Sequence, residues 1–591
     1  MQKLIEKITQ VFAEAFESLG YEEKYGKVTL SNRPDLCEFQ CNGAMAAAKA
    51  YKKAPIQIAN EVVDAVKQAE KAEWFESIEA VNPGFINLIV AKGMLAEHIS
   101  AMAADEWLGL DKTENPRTIM IDYGGANVAK PLHVGHLRPA IIGESIKRTA
   151  RYMGHHVLGD AHLGDWGLPI GLVITELKHR HPELPYFDES YSGEYPKEPP
   201  CTSEDLAEIY PYASERSKED EAYRAEALEA TKRFQLKEQG YYALWKHIVE
   251  VSKPDIKKNY DNLNVFFDLW KCESDVDGLI PEMVEEMKEK GFAYISEGAL
   301  VVDVKEEGDA KEIPPCMLLK SNGAALYQTT DLATLKERRE LYNPDEIIYV
   351  VDKRQELHFT QVFRCAKKTG LIEDRVALKF IGFGTMNGKD GKPFKTRDGG
   401  VMHLDQLLLD VKEEMLKKIG ENSSISEDEA EKTAEIVGLA ALKYGDLTNQ
   451  ATKDYCFDLE RFTSSEGNTG PYILYTIVRI KSILNKYKEQ GGQIGQEKLL
   501  EAANESEKKL TLELANYQTM VEAAFEESAP HKLCTFLYDL SNAFNHFYHE
   551  TKILSEEKED QKASWIKLLD TTRRALETCV DLLGFEAPER M

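Results

Sequence analysis

Two histidines separated by two residues, His133 and His136, have the clearest chemical use of any feature in this sequence. An apolar run at 118–122 predicts a buried strand before them, and apolar residues at helical spacing predict a helix over 137–153 after them. The pair is therefore predicted at a strand-to-helix turn. A helix N-terminus carries free N–H groups and the positive end of the helix dipole, which suits a phosphate. Two imidazoles there could hydrogen-bond a triphosphate and the charge that develops when it is attacked.

The histidine spacing by itself leaves other interpretations open. A His-x-x-His pair can be half of a metal site, or the two rings can cap backbone groups. The stretch 156–159 favours the phosphate interpretation, because it predicts the returning strand of a strand–helix–strand nucleotide-binding unit.

A basic, glycine-rich loop follows a second predicted buried strand, 376–384. Its glycines at 388, 391, 399 and 400 predict a mobile loop. Its cationic side chains are Lys389, Lys392, Lys395 and Arg397. Cations on a mobile loop fit a transient task such as clamping a pyrophosphate leaving group. The alternative is a solvated basic surface loop.

Together the two segments resemble the motifs of class I aminoacyl-tRNA synthetases. The first motif of that family is His-Ile-Gly-His, and this chain has His-Val-Gly-His at 133–136. The second is Lys-Met-Ser-Lys-Ser, and this chain has Lys-Pro-Phe-Lys-Thr at 392–396, with Pro393 and Phe394 replacing Met and Ser. The order of the motifs and their strand–loop contexts also agree.

The resemblance narrows to the arginyl-tRNA synthetases and covers nearly the whole chain. The segment 127–133 is similar to the extended first motif of those enzymes, and further similar blocks occupy 164–167, 326–332, 352–355, 392–397, 467–472 and 587–591. The chain departs from the family pattern near the first motif. Gly124, Gly125 and Ala126 stand where a serine, a small residue and a proline are frequent, and Pro139 stands where serine is usual.

The resemblance implies an ATP site built on both motifs. His133 and His136 would stabilise the transition state at the α-phosphate, while Lys395, helped by Lys392, would hold the β- and γ-phosphates. The implied ATP-binding set is Asn127, Val128, Ala129, Lys130, Pro131, Leu132, His133, Val134, Gly135, His136 and Lys395. Mg²⁺ would arrive with ATP as part of the substrate, and no structural metal is expected.

An arginine pocket must match a planar guanidinium with carboxylates. By resemblance, Glu273 and Asp331 would pair with it, and Tyr327 would bond to it or stack on it. The full implied set is Asp122, Asn127, Glu273, Tyr327, Asp331 and Gln355, with Asp122 holding the ammonium group. From the residues alone, a helix-capping Asp331 and a surface Glu273 remain open.

The predicted helix that starts at Pro471 could contact RNA. Tyr472, Tyr475 and Arg479 fall on one helical face, which suits stacking on unpaired bases beside phosphate contacts. The alternative is that the tyrosines pack inward. Resemblance to an anticodon-binding bundle favours RNA and adds the terminal Met591.

Composition excludes some classes of protein. A length of 591 residues predicts several domains, and a net charge of −28 argues against indiscriminate polyanion binding. The nine cysteines form no Cys-x-x-Cys pair, so neither a zinc knuckle nor a disulfide framework is indicated. No apolar run approaches the roughly 20 residues that span a bilayer, and the N-terminus does not resemble a secretory signal. A cytoplasmic protein without a membrane partner, most simply a monomer, is expected.

Three domains are predicted. Residues 1–112 would form a small α+β domain, which by resemblance binds the outer corner of tRNA. Residues 113–405 would form a Rossmann-type α/β class I catalytic domain with a helical insertion at about 181–250. Residues 406–591 would form an all-α anticodon-binding bundle.

The expected reaction joins L-arginine to ATP and then transfers the arginyl group to tRNA(Arg), and by resemblance activation requires bound tRNA. Two other classes remain open at this point. One is a nucleotidyltransferase that acts on another acid without RNA, and the other is a non-catalytic RNA-binding paralogue.

Overall fold

The computed structural model describes residues 1–392, 394, 402–420, 426–495 and 498–591. Lys395, with Pro393 and Thr396 of the second motif, lies outside the described residues. The chain divides into two compact units, one of residues 1–112, 465–581 and 586–591, and one of residues 113–464 and 582–585.

The N-terminal part of the first unit packs helices on a four-stranded antiparallel sheet of order β1-β2-β4-β3. Its helix α1 buries an apolar stripe that includes Ile8, Phe12 and Phe16, so the 3.6-residue period of the sequence sets its orientation. The elements are α1 (Leu4–Ser18), β1 (Val28–Leu30), β2 (Phe39–Cys41), α2 (Gly43–Tyr51), α3 (Pro55–Gln68), β3 (Phe75–Val81), β4 (Phe85–Val90) and α4 (Lys92–Ala104).

The second unit is built around a parallel sheet with helices on it. Its elements in chain order are β5 (Thr118–Asp122), α5 (Leu137–Tyr152), β6 (His156–Asp160), α6 (Leu168–Arg180), α7 (Ser203–Glu219), α8 (Glu221–Gln235), α9 (Gln239–Asn262), α10 (Ile280–Glu289), β7 (Ala293–Ser296), β8 (Ala299–Val302), β9 (Cys316–Leu319), α11 (Tyr327–Tyr342), β10 (Glu346–Asp352), α12 (Glu356–Lys368), β11 (Ala377–Phe383), β12 (Met386–Asn387), α13 (Leu404–Gly420), α14 (Glu427–Leu447), β13 (Tyr455–Cys456) and α15 (Leu459–Phe462).

The parallel sheet has the order β11-β10-β5-β6. Its two central strands, β10 and β5, are largely apolar because both of their faces are covered, and Ile121, Ile347 and Val350 are fully or almost fully buried. The chain leaves β5 toward β6 and then returns to the other side of β5 at β10. This reversal opens a cleft at the carboxyl ends of the strands, which is where ligands bind in such sheets.

Strands and helices predicted around the motifs are confirmed with shifts of a residue or two at their ends. The predicted helical insertion contains a break that the sequence pattern did not indicate. Helix α7 ends at Glu219 and α8 begins at Glu221, since the carboxylate of Asp220 accepts the Tyr223 N–H at 3.0 Å and starts a new helix.

The C-terminal part of the first unit is helical, with α16 (Gly470–Glu489), α17 (Glu505–Ala515), α18 (Tyr517–Glu526), α19 (His531–Glu550) and α20 (Glu559–Leu582). Helix α19 buries an apolar stripe that includes Leu533, Leu540 and Phe547. The N-terminal sheet and this bundle share a unit through contacts such as that of Lys508, whose ammonium lies 2.9 Å from Glu38 and 3.0 Å from Glu76. Among the described helices none is long and apolar enough to cross a membrane.

Candidate active site

The segment between β5 and the histidine pair is pinned by backbone contacts at the carboxyl edge of the sheet. The Val128 N–H donates to the Gly164 carbonyl at 3.0 Å, and the Ala129 N–H donates to the Ser252 hydroxyl at 2.9 Å. Ala129 has a φ of 62°, a conformation that non-glycine residues rarely adopt. Asn127 is exposed and lies over Gly164. A Cβ on Gly164 would lie only 2.2 Å from the Asn127 side-chain oxygen. The loop therefore has one defined path before it reaches the histidines.

The two histidine rings are oriented by N–H groups of their own turn. The His133 N–H donates to Nδ1 of His136 at 3.1 Å, and the Gly135 N–H donates to Nδ1 of His133 at 3.0 Å. The ring centroids are 4.1 Å apart. Because each Nδ1 accepts a proton donor, each neutral ring carries its own proton on Nε2. The pair thus offers two Nε2–H donors from adjacent rings.

Both histidines are uncharged at neutral pH. Burial, together with the charges of Lys130 and His403, lowers the pKa of His133 to about 4. Burial, His133 and Lys130 lower the pKa of His136 to about 3. Neutral donors can bond phosphate oxygens without the desolvation cost of two adjacent cations.

Described residues at both ends of the second loop are tied to defined structure. Past β11, the strand β12 pairs with β13, and the Phe394 N–H donates to the Met386 carbonyl at 3.2 Å. The Phe394 ring packs on Phe457 with centroids 5.1 Å apart, so this departure from the family serine serves packing. Lys392 is exposed.

On the far side of the loop, residues 402–404 run alongside the first motif. The Val134 N–H donates to the Met402 carbonyl at 3.1 Å, and the Leu404 N–H donates to the Leu132 carbonyl at 3.0 Å. The second loop is therefore connected directly to the turn that carries the histidines.

Three residues of the expected arginine pocket, Glu273, Tyr327 and Asp331, lie together. The Glu273 N–H donates to the Leu163 carbonyl at 3.0 Å, which places this residue beside the end of β6. Burial raises the pKa of Glu273 to about 7, and Asp331 adds to the rise. Burial and Glu273 likewise raise the pKa of Tyr327, which is 68% exposed.

Asp331 already has a partner that the sequence did not reveal. Nε2 of His358, on α12, hydrogen-bonds the Asp331 carboxylate at 2.5 Å. Gln355 ends the short turn after β10, three residues before His358, and is exposed at the same carboxyl edge. The predicted pocket residue Gln355 was the one sequence signal that could have pointed to His358, because the two lie three residues apart.

Asp122 has a charged partner inside the protein. Its carboxylate accepts a hydrogen bond of 2.6 Å from the buried Arg338, whose same nitrogen lies 2.7 Å from Asp160. Asp122, Asp160 and His162 lie close enough to suggest a metal site, but the guanidinium already bonds both carboxylates. The structure therefore places Asp122 in an internal ion pair, and its role toward the ammonium group of a substrate stays a prediction.

The departure at Gly124 has a packing reason. A Cβ on Gly124 would lie 2.6 Å from the Phe267 ring and 2.9 Å from the Ala161 Cα. Phe267 fills the space that a serine side chain would need, and it packs on Tyr123 with ring centroids 4.5 Å apart.

Three family models match this chain along most of its length. The arginyl tRNA synthetase N terminal domain matches residues 2–90, the catalytic domain of tRNA synthetases class I (R) matches 98–459, and the DALR anticodon binding domain matches 473–591. A curated arginine–tRNA ligase of Agathobacter rectalis is 61% identical over 100% of both chains, and that of Alkaliphilus oremlandii is 56% identical over 100% of both.

The chain belongs to the arginyl-tRNA synthetase family. The predicted family, fold class and enzyme class are confirmed. Solved arginyl-tRNA synthetases from Plasmodium falciparum and Thermus thermophilus share the fold, each over 100% of both chains. Their TM-scores are 0.80 and 0.79, at 23% and 24% sequence identity.

The region of this chain that matches the DALR domain presents an exposed aromatic face on α16 and α19. Tyr475 is 44% exposed and Tyr548 is 37% exposed. The Arg479 guanidinium lies between them, 5.2 Å from the Tyr475 ring centroid and 5.4 Å from that of Tyr548. The sequence did not indicate Tyr548, because α19, the helix that carries it, begins 61 residues after the start of α16.

The other expected RNA contacts are placed differently. The Tyr472 hydroxyl donates to Asn542 at 2.7 Å and accepts from Asn545 at 3.0 Å, so it joins helices inside the bundle. The terminal Met591 is partly buried. Its tail is held near α16 by Lys481, whose ammonium lies 2.8 Å from Glu589.

Proposed function

We propose that the cleft at the carboxyl edge of the parallel sheet activates L-arginine with ATP and charges tRNA(Arg). The arginine carboxylate attacks the α-phosphate, which gives arginyl-adenylate and releases diphosphate. The 3′-terminal adenosine of the tRNA then takes the arginyl group and AMP leaves. The observation that carries this proposal is the pair of neutral imidazole N–H donors in the same cleft as a carboxylate pocket.

The histidines act on the α-phosphate. The Nε2–H groups of His133 and His136 donate to its oxygens, and these bonds strengthen as negative charge develops during the attack. The backbone of 127–136 cradles the nucleotide with the help of Lys130. Most of the rate enhancement then comes from positioning and charge stabilisation, as is usual for phosphoryl-type transfer.

The second loop acts on the leaving group. Lys392 and Lys395 hold the β- and γ-phosphates, and Mg²⁺ enters as part of the ATP substrate. The described contacts of residues 402–404 with the first motif support this role, because they tie the loop to the histidine turn.

The arginine side chain lies between Glu273 and Asp331. Each carboxylate accepts hydrogen bonds from the guanidinium, a planar fork that suits paired carboxylates. Tyr327 covers the guanidinium plane, and Gln355 and Asn127 contact the polar end of the amino acid. His358 keeps the Asp331 carboxylate in its orientation.

The N-terminal sheet domain and the C-terminal helical bundle of the first unit hold the tRNA. The proposed domain limits are 1–112 for the N-terminal domain, 113–405 for the catalytic domain and 406–591 for the anticodon-binding bundle. The protein works as a cytoplasmic monomer. Sedimentation of the purified chain as a single species of about twice the expected mass would contradict the monomer.

The overall reaction is tested by arginine-dependent ATP–diphosphate exchange with and without tRNA, against the other amino acids. Exchange with arginine alone, and only when tRNA is present, is the expected result. Exchange with another amino acid, or none under any condition with well-folded protein, would overturn the proposal.

The exposed pair Tyr475 and Tyr548 gives a separate prediction. Replacing either tyrosine by alanine should raise the KM for tRNA about 10-fold, because stacking on an unpaired base contributes about 1–3 kcal/mol. The KM for arginine should stay unchanged. Aminoacylation kinetics with varied tRNA measure both.

The control for these variants is Tyr212→Ala. Tyr212 is also exposed and also has an arginine over its ring, Arg180 at 5.5 Å, but it lies in the insertion of the catalytic region. An equal rise in the tRNA KM for Tyr212→Ala would show that any exposed tyrosine has this effect, and the assignment would fail.

A further inference from the structure

Arg138 follows the histidine pair by two residues and is almost completely buried, with 1% of its surface exposed. Its Nε donates to the carboxylate of Asp446, on α14, at 3.0 Å. One terminal nitrogen donates to the Gly384 carbonyl at 2.7 Å and to the Lys453 carbonyl at 3.0 Å. A side chain from the first turn of α5 thus reaches three other segments.

Two of those segments form the base of the second loop. Gly384 directly follows β11, and a Cβ there would lie 2.5 Å from the Lys453 carbonyl carbon. The next N–H, of Thr385, donates to the Asp454 carboxylate at 2.8 Å, and β12 then pairs with β13. The base of the loop is therefore packed against 453–456, and Arg138 bonds both sides of this contact.

The shape of the guanidinium suits it to hold the three bonded segments at fixed distances from one another. It is planar and rigid, so its Nε and terminal nitrogen keep a fixed separation and direction, which the flexible ammonium of lysine would not. A buried ion pair contributes little net stability relative to well-packed apolar residues. The buried Arg138–Asp446 ion pair is thus better explained by the segments that it holds in position than by a contribution to stability.

We propose that Arg138 is a positioning residue that holds the base of the second loop in register with His136. It touches no substrate. It sets the separation between the group that binds the α-phosphate and the loop that binds the β- and γ-phosphates. This inference rests on the roles proposed above for the two motifs.

The test separates position from stability with a paired replacement. Arg138→Met combined with Asp446→Leu removes both charges, so no unpaired buried charge is left. The Gly384 and Lys453 carbonyls lose their donor, so the thermal midpoint should fall by about as much as in Lys443→Met, described below. The kcat for tRNA-dependent ATP–diphosphate exchange should fall about 10²-fold, the loss expected from a misplacement of about 1 Å. The KM for arginine should change less than about threefold.

Two further variants complete the design. Lys443→Met is the matched control. Lys443, on α14, is also a buried cation, and like Arg138 it donates to two carbonyls, those of Leu263 and Gly584, both at 2.7 Å. It should lower the thermal midpoint and leave kcat within about threefold. Arg138→Lys keeps a cation opposite Asp446 but cannot hold all three contacts, and its kcat should fall about 10-fold.

Normal kcat in the paired variant would overturn the proposal. If the paired variant does not fold, Arg138→Lys decides, and normal kcat there would overturn it equally. A loss of kcat for Lys443→Met as large as for Arg138→Lys would also overturn it. His136→Ala is measured in parallel to distinguish failure of this inference from failure of the proposed function. Retained exchange in His136→Ala would contradict the proposed role of the histidines and not that of Arg138.

Discussion

Replacing Glu273 by glutamine is expected to lower kcat/KM for arginine by about 10²–10³-fold. The change keeps the shape of the side chain but removes a partly buried carboxylate, the one proposed to pair with the guanidinium. Losing one partner of a buried hydrogen-bonded charge pair costs about 2–5 kcal/mol. The loss should be mainly in KM, because the proposal assigns the α-phosphate chemistry to the histidines and not to Glu273. Steady-state aminoacylation with varied arginine measures it.

The same residue predicts a pH dependence. Burial raises the pKa of Glu273 to about 7, so the empty pocket takes up a proton as the pH falls through 7. Arginine needs the ionised form, and its KM should therefore rise about 10-fold per pH unit below 7. In Glu273→Gln this dependence should be absent. A wild-type KM that stays constant between pH 8 and 5.5 would contradict the assignment.

Protein stability should depend on pH in the opposite direction to arginine binding, which strengthens as the pH rises. The raised pKa means that the folded protein binds a proton more tightly than the unfolded chain between pH 4.5 and about 7, so this group makes stability fall as the pH rises through that range. Glu273→Gln should thus be more stable than the wild type above pH 7, by up to about 3 kcal/mol. The control is Asp277→Asn on the same turn, where the amide can still accept the Trp166 N–H.

Replacing His136 by alanine is expected to lower the kcat for arginine activation by about 10²–10³-fold. The variant loses one N–H donor to the α-phosphate, and removal of one such preorganised donor typically has this cost. The binding of tRNA and the KM for arginine should remain near wild-type values. Single-turnover formation of arginyl-adenylate measures the step directly. The control His179→Ala removes a histidine that bonds Glu226 at 2.8 Å, outside the cleft.

The charge state of the pair gives a second check on this role. With pKa values of about 4 and 3, His133 and His136 stay neutral from pH 6 to 8. At saturating arginine, the wild-type activation rate should therefore not fall as the pH rises from 6 to 8. A fall that follows a histidine pKa near 6.5 would show that a cationic imidazole is required, and the neutral-donor role would be wrong.

Much of this fold could be predicted because the signals are local. An apolar run of five residues before the histidines predicts β5, and the helical spacing after them predicts α5. Motif order then implies that two loops meet at one edge of a parallel sheet. The break at Asp220 was missed because a single capping carboxylate, and no change in apolar period, starts the new helix there.

The sequence by itself determined the family, since the motifs that carry it are short patterns of residue type and spacing. The residues assigned to phosphate and arginine binding stay predictions. Tertiary structure decided which charges are free to meet a ligand. Asp122 ends its strand as an apparent acceptor, but Arg338, 216 residues later, neutralises it. Arg138 bonds Asp446 across 308 residues. Charges buried by folding must find partners from any part of the chain, and spacing along the chain carries no record of which partner that is.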